Sequence, residues 1–133
     1  MLTANIYRSA GGLLLSLLLT ASAAAATLQG RLVKPTEGNP IQLVSADGPV
    51  TLVVDELQDS TMRDPQLADR TWHLRGHDAP DGGGFKVDRA FTVKDGKLYR
   101  VTYYCEICHI TTYDPGRCMC CQEDTELREI PED

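Results

Sequence analysis

Positive charge and aromatic residues are scarce in this chain of 133 residues. It has 13 Lys plus Arg against 19 Asp plus Glu, which gives a formal net charge of −6, and 6% aromatic residues. An acidic chain repels phosphate backbones, so the composition does not support general nucleic-acid binding. The sequence also contains no Ser-His-Asp constellation, phosphate-binding loop or paired-carboxylate motif. We therefore expect a binding or structural role, with an unidentified protein or small molecule as partner, rather than an enzyme.

The N-terminus has the pattern of a secretory signal peptide over residues 1–26. Arg8 precedes an apolar stretch centred on Leu13–Leu19, and Ala24-Ala25-Ala26 satisfies the small-x-small cleavage rule. The apolar run of 17 residues from Ala10 to Ala26 is shorter than the roughly 20 residues that span a bilayer. We expect cleavage before Thr27, export to the periplasm or the extracellular space, and no stable membrane insertion afterwards.

Residues 27–104 have the alternating and β-branched pattern of short strands separated by turn residues. Asp47-Gly48 and Asp95-Gly96 are typical hairpin turns, and Trp72 and Leu74 fall on one face of a strand. Asp59-Ser60 could cap a short helix over about residues 61–68, although Pro65 would limit its length. The sequence predicts a mainly β fold with one short helix.

Three strands, a brief helix and further strands, in that order, resemble the OB-fold, a small and partly open barrel. The resemblance lies in the order of elements rather than in a sequence motif. It implies a small OB-like barrel over residues 27–104, followed by a cysteine cluster over 105–122. The acidic end, residues 123–133, is predicted to be a frayed tail.

All five cysteines lie in a segment of 17 residues, between Cys105 and Cys121. Two C-x-x-C pairs, Cys105/Cys108 and Cys118/Cys121, could supply the four sulfurs that tetrahedral zinc prefers. Their spacing resembles the knuckles of zinc ribbons and rubredoxins, and Tyr113-Asp114-Pro115 after the first pair strengthens that likeness. The second pair lacks the Pro and Gly of a rubredoxin knuckle and comes much earlier, which favours zinc over iron. His109 or Cys120 would be the substitute ligand.

Covalent haem is the main alternative. Cys105, Cys108 and His109 match the C-x-x-C-H attachment motif of c-type cytochromes, and Met119 is a distal ligand by type. Such a protein would be a monohaem electron carrier. Only 24 residues follow His109, and the chain has no set of amphipathic helices to enclose a porphyrin.

Disulfides are a further alternative, because small exported domains often carry them. An odd number of cysteines would leave one thiol unpaired. A redox-active C-x-x-C pair, or a Cu(I) patch that includes Met119, would also fit the residue types.

Other polar residues have simpler explanations. On a strand, His73 and His77 would share a face but lie far apart along it, so both are expected to be surface histidines. Asp55, Glu56 and Asp59 are expected to lie in a solvated turn. The sequence therefore predicts an exported β-barrel protein that binds zinc through Cys105, Cys108, Cys118 and Cys121.

Overall fold

The computed structural model describes residues 24–132. The predicted signal peptide therefore lies almost entirely outside the described residues. In the described part, no helix has the length and apolar character needed to cross a membrane. The elements, in chain order, are β1 (Ala26–Leu32), β2 (Gln42–Ser45), β3 (Gly48–Val53), α1 (Glu56–Met62), a 3-10 turn (Pro65–Leu67), β4 (Thr71–Asp78), β5 (Phe85–Lys94), β6 (Lys97–Cys105), β7 (Ile110–Thr112) and β8 (Glu126–Pro131).

The first five strands pair in a ring. β1 pairs with β2 and β4, β2 pairs with β3, and β4 pairs with β5, all antiparallel. A short parallel pairing of β3 with β5 closes the ring. The prediction of a mainly β fold with a small, partly closed barrel, one helix and a C-terminal cysteine cluster is confirmed.

β6 extends the sheet beyond the ring. It pairs with the end of β5 only from Thr92 to Lys94, and then with β8 and β7. The Asp95-Gly96 turn joins β5 to β6 with both residues at positive φ, as a tight hairpin requires. β6 thus belongs to the barrel at its start and to the cysteine cluster at its end.

The barrel interior is filled by the side chains that alternate inward along the strands. Trp72 and Leu74 of β4 are buried, as their alternation predicts, and they pack with Leu43, Leu52 and Phe85 in one hydrophobic core. Tyr103 of β6 joins this core, and its hydroxyl donates a 2.5 Å hydrogen bond to the buried carboxylate of Asp64. Burial, followed by this contact, raises the pKa of Tyr103 above its usual range.

The helix begins earlier than predicted. Asp55 is the N-cap: its side chain accepts from the Gln58 backbone N–H, while the Gln58 side chain accepts from the Asp55 N–H. This capping box fixes the start of α1, so the prediction that Asp59-Ser60 caps a helix over 61–68 is wrong. Pro65 instead occupies the first turn of the separate 3-10 segment, where its missing N–H costs little. Asp55, Glu56 and Asp59 cap and begin a helix rather than lying in a plain turn.

The acidic end is not a frayed tail. Glu126–Pro131 forms β8 and pairs with Tyr99–Tyr104 of β6. Glu129 points inward with 6% of its side chain exposed, and it contacts Arg70 Nε at 2.7 Å and Lys94 Nζ at 3.0 Å. Glu132 lies 3.4 Å from Arg89 and 3.1 Å from Arg100. The acidic residues of this segment therefore attach β8 to basic residues of the barrel.

Replacing Glu129 with glutamine is expected to lower the free energy of unfolding by about 2 kcal/mol at pH 7, because a charged acceptor is lost beside two cations. Burial opposes ionisation of Glu129, but Arg70 and Lys94 outweigh it and hold the pKa of that carboxyl below its usual range. Its contribution is thus present above the unfolded-state pKa of about 4.3 and is lost as the pH falls through the folded-state pKa.

Urea unfolding of both forms at pH 7 and pH 3 measures this effect. We expect the difference between wild type and Glu129→Gln to shrink at the lower pH. Glu126→Gln is the matched control, since Glu126 is 55% exposed and pairs with Arg128 on the surface. An equal loss in both variants would contradict a role for the buried carboxylate.

Candidate metal centre

Two hairpin-like turns bring the four predicted sulfur atoms together. The first turn follows β6 directly and carries Cys105 and Cys108, and β7 then pairs back on β6 through Cys105 and Ile110. The second turn carries Cys118 and Cys121, and the bridge between Arg117 and Asp124 closes it. The four Sγ atoms all lie within 4.8 Å of one another.

The two turns have equivalent backbone geometry. In each, the residue after the second cysteine donates its N–H to the carbonyl of the first, His109 to Cys105 at 2.8 Å and Gln122 to Cys118 at 2.9 Å. Both residues take the left-handed conformation, with φ of 57° and 62°. We call these two turns, Cys105–His109 and Cys118–Gln122, the knuckles. In each knuckle both cysteine side chains point to the same side, and the two pairs of sulfurs face each other.

The distances between the sulfurs suit a shared ion better than a disulfide. All five cysteines of the chain are free. The Sγ atoms of Cys105 and Cys121 lie 3.6 Å apart, whereas a disulfide needs about 2.05 Å. Four sulfurs at about 2.3 Å from one tetrahedral ion would lie about 3.8 Å from each other. The cluster is therefore close enough to bind a metal, and its all-sulfur donor set fits a soft or borderline cation.

Backbone N–H groups inside the knuckles point at the sulfurs. The Cys108 N–H lies 3.4 Å from the Cys105 Sγ. Hydrogen bonds from the backbone N–H groups of Cys121 and Cys120 lower the pKa of the Cys118 thiol to about 6. The hydrogen bond with Cys121, together with burial, raises the pKa of Cys108 to about 12. The knuckles thus favour a thiolate at Cys118.

The proposed substitute ligands lie outside the sulfur group. The His109 ring places Nδ1 2.9 Å from the Tyr104 hydroxyl, and Arg128 stacks on the Tyr104 ring at 3.9 Å. Cys120 is exposed, and Met119 is 83% exposed. Across residues 24–132, the group of neighbouring ligand atoms consists of Cys105, Cys108, Cys118 and Cys121 alone.

The two other histidines do not approach each other. His73 Nδ1 contacts the Gln29 side chain at 3.2 Å, and His77 Nδ1 contacts Asp88 at 3.0 Å. Burial, with the nearby Arg75, lowers the pKa of His73. Both lie on β4 with polar partners of their own, and they form no joint metal site.

Sequence reasoning missed how the segment between the knuckles is held. The Thr61 hydroxyl of α1 donates to the Tyr113 carbonyl at 3.2 Å, and the Thr125 hydroxyl donates to the Gly116 carbonyl at 2.6 Å. The left-handed residues after each knuckle were also missed, because glycine is the usual signal for that conformation and the chain has His109 and Gln122 there.

The fold and site together define a small, mainly β protein with a C-terminal cluster of four cysteines that can hold a metal. The sequence matches no family model, and no characterised protein or solved structure is significantly similar to it.

Proposed function

We propose that this chain is an exported OB-like β-barrel protein that holds one structural zinc ion through Cys105, Cys108, Cys118 and Cys121. The observation that carries the proposal is the convergence of four free sulfurs on two equivalent knuckles. Four protein ligands complete a tetrahedral shell and leave no open position for substrate, which is typical of structural rather than catalytic zinc.

A structural ion would stabilise the segment that carries the knuckles. Residues 106–125 contain one short strand, β7, and of their larger apolar side chains Ile110 is half-buried, whereas Ile107, Tyr113 and Met119 are exposed. Such a segment buries little apolar surface, so it has little intrinsic tendency to fold. Zinc would supply the missing free energy, because binding to a site that forms only in the folded state stabilises that state.

Several features support zinc over haem. The sulfurs of Cys105 and Cys108 face Cys118 and Cys121, while the His109 ring contacts Tyr104. Cys105 is also buried, with 1% of its surface exposed. A porphyrin held by the C-x-x-C-H motif would need both sulfurs and the imidazole to turn outward together.

Intact mass and visible absorbance of the purified exported protein identify the bound group. We expect one releasable zinc ion per chain and no visible band. A covalently added porphyrin would indicate a cytochrome, a visible thiolate-to-metal band would indicate iron, and a loss of hydrogens alone would indicate disulfides. Any of these three results would contradict the zinc proposal.

Removing the metal is expected to affect the two parts of the chain differently. In excess chelator, amide protons of residues 106–125 should lose protection against hydrogen exchange, because the knuckles lose the ion that joins them, whereas β8 keeps its pairing with β6. The barrel core around Leu43 and Leu74 should stay protected. Protection retained in the knuckles without metal would show that the segment folds unaided.

A further inference from the structure

The outer surface of the barrel carries a cluster of basic side chains on β4 and β5. Arg75 follows the buried Leu74 along β4, so its side chain points away from the core. Arg89 lies directly opposite Arg75 in the pairing of β4 with β5, and Lys86 lies opposite His77. The side chains of Arg75, Lys86 and Arg89 are all exposed. These three residues, which we call the basic face, thus share one solvent-facing surface of two paired strands.

The two arginines of the basic face rest on an aromatic ring. The guanidinium carbons of Arg75 and Arg89 lie 4.9 and 5.2 Å from the centre of the Phe91 ring. Phe91 is 1% exposed, so the ring is covered while the arginines above it contact water. A guanidinium is attracted to the face of an aromatic ring, and this contact restricts its position while its other N–H donors stay accessible. The arginines are therefore partly preorganised for a ligand.

The carboxylates close to the basic face leave much of its positive charge unpaired. Within residues 24–132, Arg75 and Lys86 have no carboxylate oxygen within 4.0 Å of their charged nitrogens. Arg89 lies 3.4 Å from Glu132 but shares it with a second arginine, and Asp88 contacts a histidine of β4 at 3.0 Å. Like charges directly opposite each other on paired strands are destabilising, and a bound anion would relieve that repulsion.

The surroundings of the basic face favour carboxylates as its ligands. A guanidinium presents parallel N–H donors that match the two oxygens of a carboxylate. Bases of a single-stranded nucleic acid would need an exposed aromatic ring for stacking, whereas Phe91 is covered. A lipid surface would need apolar side chains to insert, and the exposed large apolar residues of the described part lie outside β4 and β5. A polypeptide rich in Asp and Glu needs neither feature.

We propose that the basic face binds an acidic segment of a partner protein. Carboxylates two residues apart in an extended segment lie on one side of it, about 7 Å from each other, so they can reach neighbouring basic side chains together. Because the chain as a whole has a formal net charge of −6, it repels such a segment elsewhere, which restricts docking to this face. Binding here uses no cysteine, so it stands independently of the proposed zinc function.

Titration of the intact ¹⁵N-labelled protein with acetylated hexaglutamate tests the proposal. We expect saturable shifts confined to amide signals of β4 and β5, with a dissociation constant on the order of 1 mM in low salt, and weaker binding as salt is added. Hexathymidylate and vesicles of phosphatidylglycerol should bind more weakly than the peptide. The absence of saturable shifts with hexaglutamate, or tighter binding of either other probe, would overturn the assignment to an acidic polypeptide.

Two double variants with the same change in net charge locate the binding surface. Arg75→Gln with Lys86→Gln should weaken hexaglutamate binding about tenfold, because two charged donors are lost. Lys34→Gln with Lys97→Gln removes two exposed charges outside the basic face and should change the affinity by less than about twofold. Equal weakening in the two double variants would attribute binding to net charge alone and contradict the proposal. The spectrum of each variant also reports whether it is folded.

Discussion

Replacing Cys118 with serine is expected to lower zinc affinity by roughly a hundredfold or more, because binding free energies of about 10–16 kcal/mol at structural zinc sites are divided among four ligands. Of the four cysteines, Cys118 has the surroundings that most favour a bound thiolate. It is 1% exposed, and the N–H groups of Cys120 and Cys121 point at its sulfur. A serine hydroxyl is shorter, is a harder donor, and holds its proton at neutral pH, so it cannot replace the thiolate.

Cys120→Ser is the matched control for this experiment. Cys120 is two residues away and chemically identical, but it is exposed and lies outside the sulfur group. Competition with a chromophoric chelator should show unchanged affinity in Cys120→Ser and the large loss only in Cys118→Ser. Equal losses in both variants, or no loss in Cys118→Ser, would show that the ligand set is assigned wrongly.

Replacing Gly76 with alanine is expected to destabilise the barrel by about 3 kcal/mol, because the added methyl group has no space. A Cβ built at this position would lie 1.9 Å from the Lys86 carbonyl oxygen, which belongs to the neighbouring strand. Gly76 lies at a β-bulge: Arg75 pairs with Arg89, Gly76 pairs with Val87, and Asp88 is left without a counterpart. Glycine is what allows the two backbones to approach so closely at this bulge.

Chemical unfolding of Gly76→Ala measures the loss directly. Gly82→Asn is a suitable control, because Gly82 has nothing within 4 Å of an added Cβ and asparagine tolerates its positive φ. We expect the control to change stability by no more than about 0.5 kcal/mol. A similarly small effect of Gly76→Ala would mean that the sheet relaxes around the bulge.

The strands and turns of the barrel could be predicted from local sequence patterns, whereas the pairing of distant segments could not. Trp72 and Leu74 alternate visibly, and Asp47-Gly48 and Asp95-Gly96 mark their turns. The start of α1 is also marked locally, since Asp55 and Gln58 have the spacing of a capping box, four residues before the Asp59-Ser60 pair on which the prediction rests. β8 was missed because its strand character depends on pairing with a distant strand and on the buried Glu129, which looks like a solvent-exposed residue in the sequence.

For the metal centre, the candidate ligands could be predicted from the sequence, but the backbone geometry that brings them together could not. The C-x-x-C spacing predicts which four sulfurs could meet, because each knuckle is local. The equivalent left-handed turns at His109 and Gln122 carry no glycine, so the sequence gives no sign of them.

The pairing of β6 with β8 also has a consequence for the course of folding. The Tyr99–Tyr104 edge of β6 has its partner more than twenty residues further along the chain. Until Glu126–Pro131 arrives, β6 presents a row of unpaired N–H and C=O groups on a segment with three tyrosines and one valine, which is a template for aggregation. An ion bound between Cys105 and Cys121 would close most of the intervening loop and hold β8 near that edge. We therefore expect metal supply during folding to determine how much of the protein escapes aggregation.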